Sequence, residues 1–239
     1  MKEDRDLQFL ASCKSADLKT LVDVMTFDKN GEVRFSEQLT NTDAYLRYYP
    51  DRLPMMWQEI ANELQRFGGN TLVNVVRKGG VCYREILNDV CRKLEVYYTG
   101  YEDTAELERR LLEKVCMEAV KHMSEEELRE LAQELELPEK NPRKYMLVLA
   151  LQMVIRRGGA LFTRMTLYVG QVVSRMLLNR GVLMLGGNVL NKAFGIFGGP
   201  VGWAITLGWA ACDLAAPAYR VTIPCVIQVA CMRLQQSQA

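Results

Sequence analysis

Apolar residues recur at helical rather than strand spacing along almost the whole of this chain of 239 residues. "DRDLQFLAS" and "SADLKTLVDVM" each predict a short amphipathic helix, with Ser15 as N-cap of the second. "FDKNGEVRFSE" is a polar turn region around Asn30-Gly31 that predicts a small hairpin. It is not a calcium loop, because Gly31 stands fourth from Asp28 and an EF-hand needs its glycine sixth. Trp57, Ile60, Ala61 and Leu64 share one helical face, ended by Gly68-Gly69. Val81, Ile86, Val90 and Leu94 mark the next amphipathic helix. Two acidic helices follow, and Ser124 with Glu127 fits a capping box at the start of the second. Pro138 and Pro142 then bracket a linker.

From Tyr145 to Arg180 the pattern predicts one long helix, loosened at Gly158-Gly159. Arg157, Arg164, Gln171 and Arg175 line one face of it, while Leu161, Met165, Val169, Val172 and Met176 lie away from that face. Such a basic amphipathic helix suits a membrane surface or an acidic partner; a solvated face over an apolar core is the plainer reading.

"AFGIFGGPVGWAITLGWAAC", Ala193 to Cys212, carries no charge and is long enough to cross a bilayer. Proline in a helix interior costs roughly 3 kcal/mol but is favoured in a first turn. "FGGPVG" therefore predicts a stop and a restart near Pro200, giving a hairpin with arms 182–197 and 200–216. Each arm is about 24 Å long, short of a bilayer core of about 30 Å. Small residues repeat at helical spacing, Gly195 with Gly199, Gly198 with Gly202, and Ala204 with Gly208 and Cys212, and such faces let two helices approach closely. Lys192 and Asp213 stand towards the outer ends of the arms, placed to pair across the hairpin. A buried apolar hairpin is the first reading and a membrane-inserting one the second.

Charge divides the chain. Residues 1–150 hold 22 Lys+Arg against 28 Asp+Glu; residues 151–239 hold eight against the single acid Asp213. An acidic front and a basic, apolar back are set to attract each other. With 49% hydrophobic and 25% charged residues the chain is globular in composition. Cys13, Cys82, Cys91, Cys116, Cys212, Cys225 and Cys231 form no C-x-x-C pair and read as reduced, buried thiols. The charged start "MKEDRDLQFLASC" lacks an apolar signal core, so synthesis in the cytoplasm is expected.

Chemistry is thin. A single histidine, His122, is too few for a His-based triad or multi-His metal site, and no phosphate-binding loop is present. Cys82 lies near Arg77, Lys78 and Arg84, cations placed to lower its pKa, but with no His base near it in sequence it reads as a structural thiol rather than a nucleophile. The acidic run from Ser124 reads as a solvated helix face, and the basic half lacks the aromatic interleaving of a nucleic-acid binder.

Three stretches together resemble a known family: "DRDLQFLASCKSADLKTLVDVM", then "WQEIANELQRFGGNTLVNVVRKGGVCYREILNDVCRKL", then "GGPVGWA" with "APAYRVTIPCVIQVACMR". The chain is similar to the YaaW-type bacterial proteins over nearly its whole length. That family has been grouped distantly with the ubiquinol–cytochrome c chaperone domain, which implies a protein-handling role near a membrane and supplies no catalytic residues to carry over. In "FGGN", Gly68 and Gly69 permit a sharp break and Asn70 can cap the next helix. In "AYRVTIP", Pro217 and Pro224 bend or restart the last helix around Tyr219 and Arg220, and Arg220 can reach a carboxylate or a phosphate.

The expected fold is all-α: a multi-helix bundle with a buried glycine-rich apolar hairpin around Gly195, Gly198, Gly199, Pro200, Gly202 and Gly208. An acidic region 1–137 and a basic, apolar region 138–239 are expected, with one continuous domain as the alternative. The expected function is a non-enzymatic interaction or assembly-chaperone-like protein at or near the inner membrane, peripheral to it, with a protein partner or client. Arg157, Arg164, Arg175, Tyr219 and Arg220 are its candidate partner or membrane contacts. No cofactor, metal or nucleic acid is expected, and the sequence does not set the oligomeric state. The alternative is a membrane-active protein that inserts its hairpin when triggered; an enzyme of unknown reaction is weaker.

Overall fold

In a computed structural model the described residues are 4–28, 31–35, 37–69, 81–137, 143–178 and 219–237. They form an all-α fold: α1 (Ser15–Thr26), α2 (Asp43–Tyr48), α3 (Trp57–Gly69), α4 (Tyr83–Lys93), α5 (Thr104–His122), α6 (Glu125–Glu134), α7 (Lys144–Arg157), α8 (Gly159–Leu178) and α9 (Tyr219–Gln236). Arg5–Ser12 and Leu53–Met56 are 3₁₀ helices. Where a small hairpin is expected, an antiparallel bridge joins Phe27 and Val33 among the described residues. The glycine-rich hairpin, the linker prolines, Asn70, Lys192 and Asp213 lie outside the described residues.

The last helix is the centre of the fold. From Val221 to Met232 nearly every side chain of α9 is buried, and the helix packs against α1, α3, α4, α5 and α8. A helix that is apolar all round has to be enclosed in this way. It runs through Pro224 without restarting, where a restart was one of two expectations. One apolar core spans both regions, from Leu7 in the first 3₁₀ helix to Met232.

Polar groups fix the register of α9 against the start of the chain. The Arg233 Nε donates to Glu108 Oε2 at 2.6 Å, its Nη2 donates to the Asp6 carbonyl, and its guanidinium lies 4.1 Å from the centre of the Phe9 ring. Glu108, 2% exposed, accepts a second bond from the Tyr83 hydroxyl at 2.7 Å. Asp4 caps the first 3₁₀ helix through Asp6 N–H and accepts from Gln65 Nε2 and Tyr83 N–H, so one carboxylate joins three elements. Burial pushes the Glu108 pKa up, and the opposing pull of Arg233 is the largest of those that lower it.

Several local expectations hold. Ser124 and Glu127 form the capping box at α6; Asp103 and Thr42, not singled out from the sequence, cap α5 and α2. Five of the six described cysteines are buried and all six are free thiols; Cys82 is exposed. Ser15 departs from its expected role: Lys14 holds the N-cap position, and the Ser15 hydroxyl instead accepts from Leu53 N–H at 3.2 Å. Gly68 and Gly69 close α3 as its last two residues. A methyl group at Gly68 would stand 2.4 Å from Ile86 Cγ1, so this glycine also permits the close approach of α3 and α4. Helices α4 and α6 both end in Schellman motifs, with Glu95 (φ 53°) and Glu136 (φ 54°) in the left-handed position usually given to glycine.

Two outcomes follow. Arg233→Met leaves a buried carboxylate unpaired and should cost about 3–5 kcal/mol at neutral pH. Without Arg233 the folded-state pKa of Glu108 rises further. The deficit in urea unfolding should therefore be smallest in acid, where Glu108 is protonated, and grow as pH rises through that pKa. Glu95→Gly removes the left-handed penalty on an exposed residue and should stabilise the protein by roughly 0.5–1 kcal/mol, read as a higher urea midpoint.

Candidate interaction face

The long helix expected from Tyr145 to Arg180 is two helices. Gly158 (φ 69°, ψ −150°) and Gly159 (φ 73°) separate α7 from α8 with a bend of 111°. The Gly158 conformation is essentially closed to residues with a Cβ, so the glycine pair forms an elbow rather than a loosened turn. Arg157 and Arg164 consequently sit on different helices.

Helix α7 is apolar on two sides. Leu147, Leu151, Val154 and Ile155 point into the core against α5 and α6. On the other side Tyr145 (58% exposed), Met146 (40%), Leu149 (55%) and Met153 (50%) face outward. At about 100° per residue these four, with Arg156 and Arg157, fall within an arc of about 120°. Arg143 and Lys144 stand at the N-terminal end, exposed like Arg156 and Arg157 at the C-terminal end. None of these four cations forms an ion pair among the described residues. Residues 143–178 contain no Asp or Glu. Covering the four half-exposed apolar side chains is worth roughly 1 kcal/mol each.

The candidate contacts have separate neighbours. Arg157 belongs to the α7 face. Arg164 turns to the end of α6, where Nη2 donates to the Glu134 carbonyl at 2.5 Å and Nη1 reaches Glu136 at 3.4 Å. A cation at a helix C-terminus satisfies free carbonyls and complements the dipole. The Arg175 side chain lies outside the described residues. Tyr219 opens α9 with Lys93 Nζ 5.7 Å above its ring. Arg220 is exposed and, after burial, adds to the lowering of the Arg34 pKa.

The lowering of the Cys82 pKa that the neighbouring cations would cause is not found. Its thiol is pushed up rather than down, by partial burial first; a hydrogen bond with the Glu85 backbone opposes this, and the charges of Glu85 and Asp4 add to it. Arg84 is directed instead to the Glu102 carbonyl at 2.7 Å, and Arg77 and Lys78 lie outside the described residues. A cavity of about 300 Å³ opens between α5 and α9, but its charged groups pair with one another, Glu108 with Arg233 and Glu106 with Arg109. Among the described residues no group of three His, Cys, Asp or Glu side chains converges as a metal site would require.

Tyr145, Met146, Leu149, Met153 and Arg156 were absent from the sequence-derived contacts. Their signal was the spacing 145, 149, 153 beside a second apolar set at 147, 151, 154, which is more apolar surface than one core-facing stripe needs. The elbow that presents this face can be tested directly. Gly158→Ala should destabilise the protein by about 1–3 kcal/mol in urea unfolding, because alanine cannot adopt that backbone without strain.

Comparison with known proteins adds a family. Residues 1–35 match a family model described as a domain of unknown function, DUF3944; its described residues comprise the first 3₁₀ helix, α1 and the bridge, the segment held by Arg233. Over the full chain, a UPF0174 protein of Helicobacter pylori strain J99 is 38% identical, with 94% of that relative covered. The UPF0174 protein YaaW of Escherichia coli K12 is 31% identical over 232 residues, which is 96% of this chain and 94% of the relative. No solved structure matches. The identity to these relatives, sustained across the chain, makes this protein a member of the UPF0174 family, of the YaaW type.

Proposed function

We propose that this is a non-enzymatic interaction protein that docks at or near the inner membrane through the outer face of α7. The observation that carries the reading is the second apolar side of that helix: Tyr145, Met146, Leu149 and Met153 face outward together, between cations at the two ends of a helix that carries no acid. Contiguous exposed apolar surface is uncommon on soluble proteins and marks contact sites. The buried polar groups support the same view, since the Glu108–Arg233–Tyr83 cluster holds helices together and its partners are internal. Handling of a client protein, the chaperone-like part of the proposal, is carried by the distant family resemblance.

Two substitutions test it. Leu149→Glu with Met153→Glu places two charges on the exposed face and should leave the thermal unfolding midpoint within a few degrees of wild type. In fractionated bacterial cells the wild-type chain should sediment with membranes and the double variant should move to the supernatant. A wild-type chain found wholly in the supernatant would defeat the reading. A large loss of stability in the double variant would do so too, because it would mean that another part of the chain covers the face.

A further inference from the structure

We infer that the partner of the α7 face is the surface of an anionic phospholipid layer, with α7 lying in its plane and α8 directed away. The inference rests on the docking role proposed above and names its counterpart.

Three features of α7 carry it. The first is length: 14 residues span about 21 Å, too little for a hydrocarbon core of about 30 Å. Among the described residues no single helix is long and apolar enough to cross a membrane, and the α7–α8 pair that would suffice by composition is bent by 111°. The second is the order of groups along the helix. Arg143 and Lys144 stand at one end, Tyr145, Met146, Leu149 and Met153 occupy the middle, and Arg156 and Arg157 stand at the other end. Anionic headgroups above an apolar boundary match that order, with the apolar side chains entering the boundary and the cations staying at headgroup level. The third is the absence of any acid from residue 143 to 178, so nothing on these two helices repels the anionic surface.

The elbow decides which cations take part. Beyond Gly158 the chain turns away, and Phe162, Met165 and Val169 are buried in the core. Arg164 is held by the end of α6 through the Glu134 carbonyl and Glu136. The lipid-facing set is therefore Arg156 and Arg157 on the outer arc, with Arg143 at the N-terminal end; Lys144 lies on the opposite side of the helix wheel, and Arg164 is outside the set. A single continuous helix would have put Arg157 and Arg164 in one set, so the two arrangements make opposite predictions.

The test uses the full chain with sedimented vesicles of phosphatidylcholine, alone or mixed with phosphatidylglycerol, at low and high salt. Wild type should bind the mixed vesicles, bind phosphatidylcholine at least tenfold more weakly, and lose affinity as salt rises. Arg156→Gln with Arg157→Gln should weaken binding about tenfold or more, at roughly 1 kcal/mol per surface cation. Arg156→Lys with Arg157→Lys should retain it, Arg164→Gln should bind like wild type, and Leu149→Glu should abolish binding. Unfolding curves show that each variant is folded. Equal binding to both vesicle types, or an Arg164→Gln variant as weak as the Arg156/Arg157 pair, would overturn the inference. If no vesicle is bound while the chain still sediments with cell membranes in a Leu149-dependent way, the counterpart is a membrane protein. The lipid assignment then falls and the docking role stands. If the chain neither binds vesicles nor sediments with membranes, both fall.

Discussion

The Arg233 guanidinium joins the last helix to α5 through Glu108 and to the first 3₁₀ helix through Asp6 and Phe9, and it sets the register of α9 within the fold. Arg233 sits one turn from the end of α9 and engages α5 through Glu108, the first 3₁₀ helix through the Asp6 carbonyl, and Phe9 through its ring face. Apolar side chains on α9 would pack in many registers with comparable gain. A buried carboxylate that must meet both a guanidinium and the Tyr83 hydroxyl accepts one. A pair of this kind adds little net stability over a well-packed apolar substitute. Here it sets which turn of α9 lies against which turn of α5.

With α9 fixed, the acidic front of the chain encloses an apolar helix from its basic back. Among the described residues, opposite charges of the two regions meet where Arg233 pairs with Glu108 and Arg164 with the end of α6. Burial of α9 supplies the rest. Arg156 and Arg157 of the basic region stay outward on α7, and the glycine elbow keeps them there by preventing α7 and α8 from joining into one helix with a single outer face. Core and candidate face are thus two sides of the same short helix: Leu147, Leu151, Val154 and Ile155 inward, Tyr145, Leu149 and Met153 outward.

Local signals were legible where the chemistry was local. The Ser124–Glu127 box needs only three residues and a helix start, and it forms as spaced. The face Ile60, Ala61, Leu64 is buried as its period requires. The readings that changed depended on a distant neighbour. Ser15 lost its capping role to a bond with Leu53, 38 residues away. Gly68 acquired a packing role because Ile86 presses against it from another helix.

Periodicity, capping chemistry and the division of charge determined by themselves that the protein is all-α, where most of its helices begin, and that its C-terminal region is basic and apolar. These properties depend on residues within a few turns of one another. The tertiary structure alone decided that α9 is central, that Gly158-Gly159 is an elbow, and that α7 has an outer face distinct from Arg164. Each of those is a choice among packings of nearly equal local energy, resolved by contacts between residues far apart in the chain.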